Sequence, residues 1–239
     1  VSMPAKLIIV TQDGSINVYN PTISSTNALE IVNSPKKIFY GVEIVNSDLF
    51  VTEFRGAYIE KYNSNFQLVS QFTDPDLVKA GYAPFNVHAI GCKLYVTFVK
   101  ANIICPNVGV GGTTDVPGIG NGYIDVFDTN GVLLDRFASR GPLNSPWGMA
   151  ELRVCKCEQE EGSTCSSIKE KKHMYRYLLV GNNGDGIINI YNLLTKNWVG
   201  RLSNDNGDAI VIDKLWSIII QCESDILYTS GADTRLHGI

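Results

Sequence analysis

One apolar strand pattern returns five times along this chain, as Leu7-Ile-Ile-Val-Thr, Leu49-Phe-Val-Thr, Leu94-Tyr-Val-Thr, Leu178-Leu-Val-Gly and Leu227-Tyr-Thr-Ser. A second pattern, following a glycine, comes after the first four: Ile16-Asn-Val-Tyr-Asn, Ile59-Glu-Lys-Tyr-Asn, Ile124-Asp-Val-Phe-Asp and Ile188-Asn-Ile-Tyr-Asn. A third precedes the later copies, as Gly41-Val-Glu-Ile, Phe85-Asn-Val-His, Trp147-Gly-Met-Ala and Trp216-Ser-Ile-Ile. From leucine to leucine the spacings are 42, 45, 84 and 49. The long spacing falls into line once two insertions are set aside, at about 101–121 and 155–173. A period in the forties with about four strands and no helical periodicity marks a β-propeller blade. A sandwich of unrelated strands would not require the same three strands to return in the same order. The chain therefore reads as all-β, one propeller domain over 1–239 with two inserted loops.

The stretch from Gly122 to Trp147 shows the unit in full. Two alternating segments, 123–127 and 132–137, are joined by Asp128-Thr-Asn-Gly131. Alternation at period two marks half-buried strands, and Asn-Gly is expected to supply the positive-φ positions of a hairpin turn. Helix is nearly absent; Asp74-Pro75-Asp76-Leu77-Val78 predicts one turn, with Asp74 as cap and Pro75 at N1. Intact units begin near Phe39, Ala83 and Pro146, which gives three full blades and a partial one at either end. Phe85, Trp147 and Trp216 hold equivalent leading positions and are expected to be largely buried between blades.

Charge excludes some partners. Lys and Arg number 20 against 24 Asp and Glu, a net of −4, without the basic excess that nucleic acid or an anionic membrane surface would attract. No apolar run approaches ~18 residues, so no transmembrane helix is encoded. The first seven residues are too short, and lack the basic stretch, for a signal peptide, which a mature exported chain would in any case have lost.

Longer strings resemble an uncharacterised family of secreted propeller-like proteins, many of whose bacterial members are associated with the PEP-CTERM sorting system. The strings are Ser70-Gln-Phe-Thr-Asp-Pro-Asp-Leu, Gly81-Tyr-Ala-Pro-Phe-Asn-Val and Gly120-Asn-Gly-Tyr-Ile-Asp-Val-Phe-Asp-Thr-Asn-Gly. Ala138-Ser-Arg-Gly-Pro-Leu-Asn-Ser-Pro-Trp-Gly, Val180-Gly-Asn-Asn-Gly-Asp-Gly and Asn206-Gly-Asp-Ala-Ile-Val-Ile-Asp continue the likeness. It implies a six-bladed ring, of which this chain resembles the C-terminal two-thirds, and an exported life. It implies no catalytic residues. The Cys- and Lys-rich insert at 155–173 stands where family members have a short loop.

Six cysteines are present: Cys92, Cys105, Cys155, Cys157, Cys165 and Cys222. The one-residue gap in Cys155-Lys-Cys157 does not suit structural zinc, whose paired ligands stand two to four residues apart, even with His173 nearby. Three cysteines in one loop expected to be exposed suit disulfides in an oxidising compartment: Cys165 with Cys155 or Cys157, the other reaching Cys105. Cys92 and Cys222, just ahead of second strands, read as buried thiols. The glycines at 109–112 and 118–122 lack the lysine and following helix of a phosphate loop and read as a mobile surface loop. Asn204-Asp-Asn-Gly-Asp208 has its glycine in the wrong place for a calcium loop and reads as a turn.

Propellers place function where the innermost strands meet the central channel. Those strands carry Glu43, Asn86, His88 and Glu151, with Glu43 and Asn86 reading as equivalent steps of the repeat. Calcium in the channel would draw on Glu43 and Asn86 as oxygen ligands; hydrogen bonding to backbone around the channel is the alternative. His88 reads as an inner-strand histidine. Two function classes follow. One is a non-catalytic extracellular binding or structural module, without cofactor, presenting loops to a protein or glycan. The other is a metal-dependent hydrolase or lyase centred on the channel. Because three blades and two partial ones leave sheet faces bare, the ring is expected to be completed by an N-terminal fragment or a partner subunit.

Overall fold

A computed structural model describes residues 4–102, 112–157, 172–221 and 227–231. The chain divides into two compact units, Val1–Trp147 and Gly148–Ile239. Each is built from antiparallel sheets whose strands follow one another in chain order.

In the first unit, β1 (Leu7–Val10), β2 (Ser15–Tyr19) and β3 (Leu29–Asn33) form a three-stranded sheet. The second sheet has four strands, β4 (Phe39–Val45), β5 (Asp48–Glu53), β6 (Tyr58–Tyr62) and β7 (Leu68–Phe72). After α1 (Pro75–Lys79) the third sheet repeats that order with β8 (Tyr82–Ile90), β9 (Lys93–Lys100), β10 (Gly122–Phe127) and β11 (Leu133–Ser139). In the second unit β12 (Pro146–Cys157), whose first residues belong to the preceding unit, pairs in order with β13 (Lys172–Asn182), β14 (Ile188–Asn192) and β15 (Trp198–Arg201). A two-stranded sheet, β16 (Leu215–Ile220) and β17 (Leu227–Gly231), follows. These are β-propeller blades, three complete and two partial.

Register makes the repeat physical. Ile16, Ile59, Ile124 and Ile188, all fully buried, sit opposite Val10, Thr52, Thr97 and Gly181. The apolar pattern therefore forms the second strand of each blade and the isoleucine pattern the third. In the first blade β1 takes the second-strand place. Alternation assigns the two faces of a second strand to different neighbours. Leu49 and Val51 pack with Ile8 and Val10 of the preceding blade, and Phe50 packs with Leu94 and Val96 of the following one. In the second unit Leu179 packs in the same manner with Leu215 and Ile218.

Three first strands carry a bulge at one place. The pairings jump from Phe39↔Glu53 to Val42↔Val51, from Pro84↔Phe98 to Asn86↔Thr97, and from Leu215↔Gly231 to Ile218↔Thr229. A bulge takes an N–H out of the ladder, where burial would penalise it. A hydroxyl on the second strand receives it: Thr52 Oγ1 accepts from Gly41 at 2.7 Å, Thr97 Oγ1 from Asn86 at 3.0 Å and Ser230 Oγ from Ser217 at 3.1 Å. Thr52 then donates to the carbonyl of Phe85 at 3.0 Å, joining two blades.

Several expectations change. Asp74 does cap α1, its carboxylate accepting from Asp76 and Leu77 N–H at 2.8 and 3.2 Å. The 128–131 hairpin has positive φ at Gly131 but not at Asn130, because the Asp128 carboxylate takes the amides of Asn130 and Val132 and builds a longer loop. Residues 118–122 are a bonded turn rather than a mobile loop: Asn144 Oδ1 accepts from Gly118 at 2.6 Å, and the Leu143 carbonyl from Gly120 at 2.8 Å. Asn204 folds 204–208 into a turn, accepting from Asn206 and Asp208. Cys92 is exposed, not buried, because it follows Gly91 in the tight turn between β8 and β9. The 155–173 insertion is not loop at its ends, since β12 runs to Cys157 and β13 starts at Lys172. The side chains of Cys155, Cys157 and His173, and all of Cys105, Cys165 and Cys222, lie outside the described residues. So do residues 109–111. Phe85 is fully buried, whereas Trp147 and Trp216 are only half-buried.

Candidate functional site

The first strands of the second and third blades stand side by side and bring Glu43, Asn86 and His88 together. Register corrects their relation. Glu43 pairs with Phe50 and His88 with Tyr95, so these two share a step of the repeat. Asn86 answers instead to Gly41, since those are the residues whose N–H groups reach Thr97 and Thr52. The spacing of 45 from Leu49 to Leu94 leads to the same pairs, since both strands carry the bulge at one place. Gly41 has to be glycine because Asn86 passes so close: a Cβ there would lie 2.5 Å from Asn86 Oδ1 and 2.7 Å from Asn86 Cα.

Glu43 is held on both oxygens. Oε2 accepts from the Ala89 N–H at 2.9 Å and lies 3.1 Å from His88 Nδ1, while Oε1 accepts from Ile44 N–H at 2.9 Å. Burial pushes the carboxyl upward, but the hydrogen bonds from His88, Ala89 and Ile44 outweigh it and keep Glu43 below the usual carboxylate range. Asn86 is engaged at both ends of its amide, Nδ2 donating to the Trp147 carbonyl at 2.7 Å and Oδ1 accepting from Val87 at 2.9 Å. The oxygens that a calcium ion would need already accept hydrogen bonds from backbone amides. The arrangement fits strand-to-strand stitching better than an oxygen cage. Among the described residues no group of three or more His, Cys, Asp or Glu side chains is placed to hold a metal.

In the second unit, Glu151 on β12 accepts from Arg153 Nε at 2.8 Å and from Arg176 Nε, on β13, at 2.6 Å. The Arg153 hydrogen bond, with Arg176 adding to it against partial burial, pulls its carboxyl down to about 2.

A second set of polar groups was not singled out by sequence reasoning. Each third-strand isoleucine is followed by a polar residue, Asn17, Glu60, Asp125 or Asn189, and the last three are buried. All four are bonded: Asn17 to Ser15, Glu60 to Lys37, Tyr62 and Gln71, Asp125 to Arg136, Asn189 to Trp198. Arg136 also bonds Asp74, so two carboxylates share one guanidinium. Asp125, the more deeply buried and flanked by Asp74, is pushed up to about 7 by burial, which Arg136 only partly offsets. Asp74 stays below the usual range, because the amides of Leu77 and Asp76, Asp125 and Arg136 outweigh its burial. The Ile-polar recurrence was the available signal; the link from Arg136 to Asp74 had none.

An apolar cleft of about 260 Å³ opens at the outer edge of the first blade. Val18, Tyr19, Ile23, Leu29 and Phe66 line it. Phe66 holds the left-handed region, φ 58°, where a bulky residue is strained, at the same point of its hairpin as Gly131 in the next blade.

No family model matches the chain. Three uncharacterised proteins of Acanthamoeba polyphaga mimivirus are similar to it, at 30% identity over 240 residues, 29% over 240 and 28% over 250. The matches cover 97%, 96% and 100% of this chain and 41%, 54% and 61% of those proteins, so the chain spans about half the length of these relatives. Among solved structures, an auxiliary nutrient binding protein from Bacteroides thetaiotaomicron is similar with a TM-score of 0.54 at 10% identity, over 93% of this chain and 55% of that one. The Dos1 propeller gives 0.48 at 12% identity, over 92% of this chain and 48% of that one. The likeness to the nutrient binding protein is one of fold alone.

Proposed function

We propose that the chain is a binding or structural module, a stiff extracellular β-propeller that presents its loops to a protein or glycan partner. The observation that carries this reading is the use made of the first-strand polar groups. Both oxygens of Glu43 and both ends of the Asn86 amide hold neighbouring backbone in place. Side chains spent in this way stiffen a platform. A channel-centred hydrolase would instead aim such groups at substrate or metal. The exported setting draws support from the even number of cysteines and their clustering at 155–165.

Elemental analysis of purified chain, paired with a glycan array and ester and lactone substrates, tests the reading. Saturable glycan or protein binding with far less than one metal per chain is the expected result. Stoichiometric calcium together with turnover that Glu43→Gln abolishes would overturn it. Peptide mapping without reduction tests the setting, which fails if Cys105, Cys155, Cys157 and Cys165 are all recovered as free thiols.

A further inference from the structure

The outer strands of the three complete blades repeat one arrangement, and the fourth blade departs from it. On β7, β11 and β15, Leu68, Leu133 and Trp198 stand opposite Tyr62, Phe127 and Tyr191, while Gln71, Arg136 and Arg201 stand opposite Glu60, Asp125 and Asn189. A one-residue bulge between the two steps brings both side chains to one face of the sheet. In the second and third blades the inner residue of this pair serves an acid: Gln71 donates to Glu60, and Arg136 to Asp125. In the fourth blade the uncharged Asn189 stands where the acid was, and its Oδ1 accepts from Trp198 Nε1 at 3.1 Å. Arg201, the counterpart of Arg136, is exposed and has no ion pair or side-chain hydrogen bond among the described residues.

Trp198 is 50% exposed, and the bond to the buried Asn189 fixes the direction of its ring. An indole held at its nitrogen offers a flat apolar surface with little rotamer freedom left to lose on binding. The C–H bonds of a pyranose ring carry partial positive charge and are drawn to the negative face of such a ring system. On the same face of the sheet, Arg201 keeps the charge that Arg136 neutralises against Asp125. A guanidinium binds a carboxylate through two parallel N–H donors. A sugar that carries a carboxylate meets both groups, its ring on the indole and its carboxylate where the repeat elsewhere places an acid. An Asp or Glu of a peptide would satisfy Arg201 alone, having no flat ring for Trp198.

We propose that Trp198 and Arg201 form a binding site for an acidic glycan, a sugar ring that stacks on Trp198 and bears a carboxylate held by Arg201. The site rests on the reading of the chain as a binding module, and gives that module a class of ligand and a place. Asn189 is a positioning residue, which holds the indole without touching the sugar.

An array of uronate- and sialate-bearing glycans beside their neutral methyl esters, probed with the full chain, tests this. The carboxylated forms should bind, and esterification should weaken them by about tenfold, the worth of one charge-assisted contact. Arg201→Gln should bring acid and ester to the same affinity. Trp198→Ala should weaken both forms alike, by about tenfold. Arg201 is exposed, and an unchanged circular dichroism melt of Arg201→Gln would keep its result independent of folding. Acid and ester bound equally by the wild type would overturn the site. So would acidic peptides bound as tightly as the glycans, binding that survives both substitutions, or no carboxylated glycan bound at all; each of these leaves the binding module standing. Ester or lactone turnover that Glu43→Gln abolishes would instead remove the module reading itself.

Discussion

Thr52 and Thr97 each occupy a place where a valine would suit the apolar surroundings, and the hydroxyl explains why a valine would fail. Both side chains are fully buried, and each accepts the N–H that a bulge has taken out of the ladder. Thr52→Val would keep the shape but remove the acceptor of the Gly41 amide and the hydroxyl that donates to the Phe85 carbonyl. The expected loss is about 1–3 kcal/mol in chemical denaturation, with Thr52→Ser recovering most of it. Asp125 offers a test in pH. Its folded value of about 7 lies above the ~3.9 of an unfolded aspartate. The folded chain therefore binds the extra proton between those values. Asp125 contributes stability that is fully present below about pH 4 and drains away as pH rises through about 7. Asp125→Asn should remove that fall, so the gap between wild-type and variant midpoints should shift between pH 5 and pH 8 in the variant's favour. An unchanged gap would mean that Arg136 holds Asp125 ionised throughout.

At the scale of the element, hairpin loops decide how a third strand turns into a fourth. Asn63 and Asp128 use one device: the side-chain oxygen takes two amides further on, and the chain then enters the left-handed region at Phe66 or Gly131. Gly131 has φ 87°, and a Cβ there would lie 2.6 Å from the Phe72 ring. Gly131→Ala should cost about 1–3 kcal/mol, combining backbone strain with a clash against a neighbouring blade. Strands and blades were legible in the sequence because alternation is local and the leucine and isoleucine patterns recur intact. Loop geometry was less so: Asn-Gly suggested two positive-φ residues, and the Asp128 carboxylate, two places earlier, selected a loop with one. The step shared by Glu43 and His88 was legible, because the spacing of 45 from Leu49 to Leu94 also separates Glu43 from His88. What stayed hidden was the bulge opposite Thr52, which nothing in Gly41-Val-Glu-Ile announces. At Arg136 the two partners differ: Asp125 stands opposite it within the β10–β11 hairpin, whereas Asp74 lies far away in the chain and no local pattern announces it.

For the whole molecule, worth is set by what a neighbour covers rather than by which residue stands in the repeat. Phe50 and Tyr228 hold the same step, the second residue of the second strand, in blades with the same local pairing. Phe50 is fully buried against the third blade, where Leu94, Val96 and Phe127 belong to the same cluster. Tyr228 is half exposed. Removing the Phe50 ring would withdraw apolar area and leave a hole that packed strands cannot close, at about 3–5 kcal/mol. Removing the Tyr228 ring from a chain kept dilute would cost roughly 0.5 kcal/mol or less, as at other exposed sites. Phe50→Ala and Tyr228→Ala, unfolded in urea at low protein concentration, should differ several-fold in effect. Equal losses from the two substitutions would mean that cover by a neighbouring blade does not set the worth of this step.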